Sequence, residues 1–178
     1  LDSLGINFEP DGDTCYGVSR TLTEGKEHCI EAAFIGACAL WMAGEKPLVM
    51  DFQAHNDYDH VVALYKYKGH WGAISKSNHI WLRWRDPIYR SLRELALSYF
   101  HEYVTGPRKT LRTYSAPYDM SRVPPEQWIT NEGSCFEVAG LIDSGRHYKL
   151  LTPAQIKILR PRDPLELKAG KVVEYTSR

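Results

Sequence analysis

Two residues of this chain have the types and spacing for nucleophilic catalysis: Cys29, and His60 about thirty residues further on. The small and apolar residues that follow Cys29 predict a helix running to about Met42, with the cysteine in its first turn. A thiol at a helix N-terminus lies at the positive end of the helix dipole, which favours the thiolate form. An imidazole at the head of a neighbouring strand can take the thiol proton, and this pair is the minimum for a cysteine nucleophile.

The elements that must position this pair are a helix followed by an antiparallel sheet. A strand is predicted at Leu48–Phe52 after the helix ends, and a polar turn follows it. His60 then opens a strand that runs to Lys68, and Trp71–Ser75 is the return strand of a hairpin. A second amphipathic helix is predicted from Ile88 to about Val104. Residues 1–20 and 105–126 are expected to be irregular, and a short helix is expected at 153–159.

Composition restricts the classes of protein to which the chain can belong. Its 178 residues, of which 43% are hydrophobic and 25% charged, predict one globular domain over 1–178. No apolar run reaches the length needed to cross a bilayer, and the polar, acidic start does not resemble an export signal, so a cytoplasmic location is expected. Four cysteines are too few for a disulfide scaffold.

A basic, aromatic segment is the one feature that points towards nucleic acid. Arg83 and Arg85 alternate with Trp81 and Trp84, as in proteins that stack single-stranded bases. The formal net charge of the whole chain is zero, however, and non-specific binding to nucleic acid needs a basic field. Nucleic acid is therefore not the expected partner.

The order of Cys29 and His60, with a tryptophan eleven residues after the histidine, resembles that of the transglutaminase-like and papain-like cysteine enzymes. In that pattern an aspartate stands four residues after the tryptophan. Here Trp71 occupies the tryptophan position and Ser75 the aspartate position. The resemblance covers 26–78, and residues 86–178 form an extension that includes stretches similar to an uncharacterised bacterial branch of such proteins.

The resemblance implies an α+β fold in which the nucleophile helix packs on an antiparallel β-sheet. It also implies acyl transfer or amide hydrolysis, with Cys29 as nucleophile and His60 as base, acting on a peptide or protein amide without a cofactor. Either Ser75 or Asn78 would orient the imidazole. No glutamine or tryptophan precedes Cys29 to hold the oxyanion. The candidates for contacting the substrate or its oxyanion are therefore Tyr16, Ser19, His28 and Trp71. The acyl acceptor, water or an amine, and the oligomeric state stay open.

Two other interpretations compete with a cysteine enzyme. His55, Asp57, Asp59 and His60 have a spacing close to that of a metallo-hydrolase motif, and carboxylate and imidazole are suitable metal ligands. Alternatively, the chain is a descendant that kept the fold, lost catalysis and uses its cleft for binding. The serine at position 75 favours this third interpretation, and the presence of both Cys29 and His60 argues against it.

Overall fold

Alternation of apolar residues along consecutive segments builds a mainly antiparallel sheet, covered by helices, in a mixed α/β architecture. The computed structural model describes residues 1–176. The strands are β1 (Gly5–Ile6), β2 (Lys26–Glu27), β3 (Leu48–Ala54), β4 (His60–Tyr67), β5 (His70–Ile74), β6 (Arg85–Tyr89), β7 (Val104–Thr105), β8 (Arg108–Lys109), β9 (Leu111–Ser115), β10 (Tyr118–Asp119) and β11 (His147–Lys149). The helices are α1 (Val18–Glu24), α2 (Cys29–Met42), α3 (Leu92–Phe100), α4 (Pro125–Trp128), α5 (Phe136–Asp143), α6 (Pro153–Lys157) and α7 (Pro164–Ala169).

The largest sheet has the strand order β11-β9-β3-β4-β5-β6, with β10 also paired to β3, and every pairing in it is antiparallel. Successive side chains of a strand point to opposite faces. In β4, Val61 and Ala63 therefore join the core on the α2 side, whereas Val62 and Leu64 join the core on the α3 side. The sheet is thus a middle layer between two hydrophobic cores.

Gly36 lets α2 approach the sheet closely. A Cβ atom at this position would lie 3.0 Å from the Cβ of Ala63 and 3.1 Å from Cγ2 of Ile74. The side chains of β4 and β5 therefore occupy the space that a larger residue would need. This close packing fixes α2 over β4 and so determines where its first residue, Cys29, lies.

Several predicted boundaries were wrong. The segment Arg85–Tyr89 is an edge strand, which tolerates Pro87 because one side of that strand has no partner strand in the part of the chain that the structure describes. The second helix begins only at Leu92, where the Ser91 hydroxyl accepts the backbone N–H of Glu94 as an N-cap, and it ends at Phe100.

Both segments that were expected to be irregular contain regular elements. Residues 1–20 include β1 and the start of α1, and 105–126 includes β9, which pairs with β3 inside the large sheet. The short helix expected near the C-terminus is confirmed as α6. Within residues 1–176, no helix is both long enough and apolar enough to cross a membrane.

Candidate active site

Cys29 is the first residue of α2, at the positive end of the helix dipole. Its Sγ lies 3.9 Å from the backbone carbonyl oxygen of Asp59, the residue directly before His60. Cys29 as a whole residue is half-buried. The helix and the strand therefore meet where the sequence placed the nucleophile and its base.

The thiol of Cys29 is acidic for a cysteine. Burial raises its pKa, but hydrogen bonds to the His28 and His60 side chains, and the charges of those imidazoles, outweigh burial and lower the pKa from 9.0 to about 5. The other three cysteines differ, because burial raises the pKa of Cys15, Cys38 and Cys135. The surroundings of Cys29 therefore favour its thiolate, whereas those of Cys15, Cys38 and Cys135 favour the thiol.

The imidazole of His60 is oriented by a serine and a backbone carbonyl. Its Nε2 lies 2.7 Å from the Oγ of Ser75 and 3.0 Å from the carbonyl oxygen of Leu82. The Ser75 hydroxyl donates to that same carbonyl at 3.0 Å. Since a carbonyl only accepts, we assign the proton of the neutral ring to Nε2, which leaves Nδ1 as the basic atom.

Aromatic side chains hold the His60 ring in this orientation. Phe52 stacks on it with ring centres 6.4 Å apart, and Tyr99 and Tyr103 lie at 6.3 and 6.4 Å. His60 is only 4% exposed. The ring therefore has little freedom to turn away from its hydrogen-bond partners, and bulk water is largely excluded from it.

His28 contributes more to this site than the sequence indicated. Its Nε2 lies 2.8 Å from the carbonyl oxygen of Thr14, with carboxylate oxygens of Glu9 and Glu31 at 3.5 and 3.7 Å. Burial lowers the pKa of His28, but the hydrogen bond to Cys29 and the negative charges of Cys29 and Glu31 raise it to about 9. The available signal was Glu31, three residues after His28, which is the spacing of a capping box.

Two predicted site residues lie elsewhere. The Asn78 side chain does not reach His60, because its Nδ2 donates to the Tyr175 carbonyl and its Oδ1 accepts the Tyr175 N–H, both at 2.9 Å. Trp71 faces Lys66 across the hairpin, six residues along β4 from His60. At about 3.3 Å per residue this is roughly 20 Å from the thiol end of the strand. The structure therefore does not bring Asn78 or Trp71 to the pair formed by Cys29 and His60.

Tyr16 and Ser19 were predicted as candidates for contacting the oxyanion, and their backbone amides are already bonded. The Tyr16 N–H donates to Oε1 of Glu31 at 2.9 Å, and the Ser19 N–H donates to the Ile129 carbonyl at 2.8 Å. The first N–H groups of a helix have no acceptor within that helix. The amide of Cys29 and its neighbours at the start of α2 are therefore the donors best placed for an oxyanion.

The predicted metal set does not assemble. Asp57 accepts the hydroxyl of Thr110 at 2.6 Å, and His55 is exposed beside Asn56. The ring of His60 is committed to Ser75 and Cys29. The four residues follow a turn into a strand, so that their side chains diverge.

Among residues 1–176, the carboxylates that do lie together are those of Asp51, Asp59 and Asp143, within 4.8 Å of one another. The buried Asp51 also pairs with Nε2 of His147 at 3.0 Å. Burial raises the pKa of Asp51 to about 6, against the opposing effect of the His147 hydrogen bond. His147 and Asp143 come from the C-terminal extension, so the sequence alone did not reveal this group.

The comparisons with known proteins gave no match from which a function could be proposed. No protein-family model matches the chain, and no curated protein matches it either. The function proposed for this protein is therefore based on the arrangement of Cys29, His60 and their neighbours.

Proposed function

We propose that this protein is a cysteine acyltransferase or amide hydrolase with a transglutaminase-like core. The observation that carries the proposal is the environment of Cys29: a thiol with its pKa lowered to about 5, at a helix start, beside an imidazole that Ser75 holds at 2.7 Å. The packing of the nucleophile helix on an antiparallel sheet supports the comparison with a transglutaminase-like core.

The residues suit a two-step acyl transfer. Nδ1 of His60 first takes the thiol proton of Cys29, which gives a thiolate and a protonated imidazole. The thiolate attacks the carbonyl carbon of an amide, a C–S bond forms, and the carbonyl electron pair moves to oxygen, where the N–H groups at the start of α2 stabilise it. As the tetrahedral intermediate collapses, the C–N bond breaks and protonated His60 gives the leaving amine its proton from Nδ1. The product of this step is a thioester on Cys29.

Release of the acyl group reverses the roles. Water or an amine attacks the thioester carbon while Nδ1 of His60 takes its proton, and the C–S bond breaks to regenerate the thiolate. Water as acceptor makes the protein a hydrolase, whereas an amine makes it a transglutaminase. The substrate class we propose is a peptide or protein amide.

Ser75, which joins Cys29 and His60 in the candidate catalytic group, is uncharged. Ser75 orients the imidazole through its hydroxyl and, unlike an aspartate, brings no charge to stabilise an imidazolium. The Leu82 carbonyl, 3.0 Å from the same nitrogen, adds a dipole of the correct sign. The absent charge is also the observation that favours the second candidate, a binding protein that keeps the fold without turnover.

An activated ester separates these candidates. The protein is mixed with p-nitrophenyl acetate, nitrophenolate release is followed by absorbance, and the acetylated residue is identified by peptide mass spectrometry. We expect a burst of nitrophenolate with acetyl on Cys29, followed by slower turnover. Addition of a primary amine then reports whether the thioester prefers an amine to water.

Three variants complete the test. Cys29→Ala should abolish both the burst and the turnover, while Cys38→Ala, in the same helix, should leave both unchanged. His60→Ala should abolish turnover. Acetylation of Cys29 that is equally fast in the parent and in His60→Ala, with no turnover in either, would contradict the proposal and support the binding protein.

A further inference from the structure

The C-terminal segment Val173–Tyr175 lies against the loop after β5 in the way that a bound peptide strand would. Its first residue forms an antiparallel bridge with His79, and the N–H of Glu174 donates to the carbonyl of Asn78 at 3.0 Å. The Asn78 side chain donates to the Tyr175 carbonyl and accepts the Tyr175 N–H, both at 2.9 Å. All of these hydrogen bonds use backbone atoms of the segment, so they are available to other extended peptides.

The side chain of Glu174 adds an ionic contact to these backbone bonds. Its carboxylate pairs with the guanidinium of Arg83 and lies 3.8 Å from Nζ of Lys76. Both cations are held in place, because Nε of Arg83 donates to the Ser77 carbonyl and the buried Nζ of Lys76 donates to the Leu4 carbonyl, each at 2.7 Å. Two fixed cations around one carboxylate form a subsite that selects an acidic side chain.

A cavity adjoins this subsite. Its volume is about 340 Å³, and its wall includes Ser75, Lys76 and Arg83. The two cations therefore border both the subsite and the cavity, which has the size of a small ligand pocket. The Oγ of Ser75 also lies 2.7 Å from Nε2 of His60. The surface that binds the C-terminal segment thus extends to a member of the candidate catalytic group.

The C-terminal segment is attached in a way that permits exchange. Glu174 is exposed, and 38% of Tyr175 is exposed as well. Ion pairs at a protein surface contribute little to stability, and exposed segments held by hydrogen bonds open locally at low cost in free energy. A second peptide that makes the same contacts can therefore replace the segment.

We infer that this surface is a docking site for an extended peptide with an acidic side chain, and that the segment Val173–Tyr175 is its internal occupant. Asn78 binds the peptide backbone, while Arg83 and Lys76 bind the carboxylate. Docking of the peptide is independent of the proposed function, whereas its use as a substrate rests on that function.

The test is the binding of a fluorescein-labelled peptide that copies residues 171–176, followed by fluorescence polarisation on the full chain. Two variants break the same ion pair from opposite sides. Glu174→Gln weakens the internal occupant and keeps the subsite, so it should bind the peptide about threefold more tightly than the parent does. Arg83→Gln weakens the occupant but also removes the subsite, so it should bind at least about threefold more weakly than Glu174→Gln.

Two controls separate recognition of the acid from general attraction between charges. The same peptide with glutamine in place of its glutamate should bind Glu174→Gln at least about threefold more weakly than the acidic peptide does. Arg90→Gln removes an exposed arginine just after β6 and should leave the affinity of the parent unchanged. Circular dichroism confirms that each variant is folded.

Three results would overturn the inference. Equal affinity of Glu174→Gln for the two peptides would show that no acid subsite exists, and an equal loss in Arg83→Gln and Arg90→Gln would show attraction by overall charge alone. No binding to Glu174→Gln at millimolar peptide would show that the segment is a fixed part of the fold. Turnover of p-nitrophenyl acetate, which has no peptide backbone, tests the proposed function separately: turnover without peptide binding refutes docking alone, whereas binding without turnover supports docking and refutes the function.

Discussion

Removal of the Ser75 hydroxyl tests whether a neutral residue really completes the site. In Ser75→Ala, the 2.7 Å contact with Nε2 of His60 is lost, but the Leu82 carbonyl, 3.0 Å from the same nitrogen, remains as an acceptor. The change therefore removes one neutral hydrogen bond, which contributes about 1 kcal/mol. At 1.36 kcal/mol per tenfold change, the expected loss is about fivefold in the rate of acylation.

This magnitude differs sharply from that of a charged triad, in which disabling the carboxylate costs about 10⁴-fold. The assay is stopped-flow release of nitrophenolate from p-nitrophenyl acetate under single-turnover conditions. Ser98→Ala is the matched control, since its hydroxyl also joins a local network, with Arg85 and the Leu95 carbonyl on α3, away from the thiol. A thousandfold loss in Ser75→Ala, or a rate equal to that of the parent, would refute the reasoning.

Three further predictions concern the frame around the site. Burial raises the pKa of Glu27 from 4.5 to about 7, and neither of its oxygens has a hydrogen-bond partner among residues 1–176, so this carboxyl group lowers the stability of the fold as the pH rises from about 4.5 to about 7. In urea titrations, Glu27→Gln should raise the free energy of unfolding by up to about 3 kcal/mol in alkali and leave it unchanged in acid; a gain confined to acid would contradict this. Gly36→Val should lower the free energy of unfolding by about 1–3 kcal/mol, because the valine side chain would overlap side chains of β4 and β5. An unchanged urea midpoint would contradict this, since it would show that the sheet moves to accommodate the valine. The buried Nζ of Lys76 donates to the carbonyls of Leu1, Asp2 and Leu4, so Lys76→Met should accelerate hydrogen exchange in residues 1–6, and unchanged exchange there would mean that other contacts hold the segment.

The core of the candidate site could be read from sequence because it lies on consecutive elements. Cys29, His60 and Ser75 are joined by short connections, and in an antiparallel sheet a hairpin returns the chain to the same edge. Side-chain periodicity then places His60 and Ser75 on the same face. The family resemblance supplied Ser75 as a partner for His60, and the structure places its Oγ 2.7 Å from Nε2 of that ring.

Contacts between distant segments could not be read in the same way. The carbonyl and carboxylate oxygens around His28 include those of Thr14 and Glu9, which lie in a loop with no periodic pattern. Asn78 was predicted as a residue that could orient the His60 imidazole, but its side-chain amide donates to the carbonyl of Tyr175, near the C-terminus. Partners of this kind are set by chain topology, to which the local sequence contributes little.

The boundary errors also have a physical cause. The apolar stripe of the second helix was recognised, but its start was placed too early, at Ile88. Asp86 and Pro87 are favourable residues at a helix start, yet pairing of this segment with β5 gives its backbone a different set of hydrogen bonds. The pairing of this segment with β5 therefore outweighed the preference of Asp86 and Pro87 for a helix start.

The most direct test of the account is the pH dependence of alkylation at all four cysteines of the native protein, read by peptide mass spectrometry. The account predicts that Cys29 reacts with a midpoint of about 5, while Cys15, Cys38 and Cys135 resist labelling because burial raises their pKa values. A Cys29 that titrates like a free thiol, near pH 8.5, or that does not react at all, would contradict the central claim that this residue is an activated nucleophile.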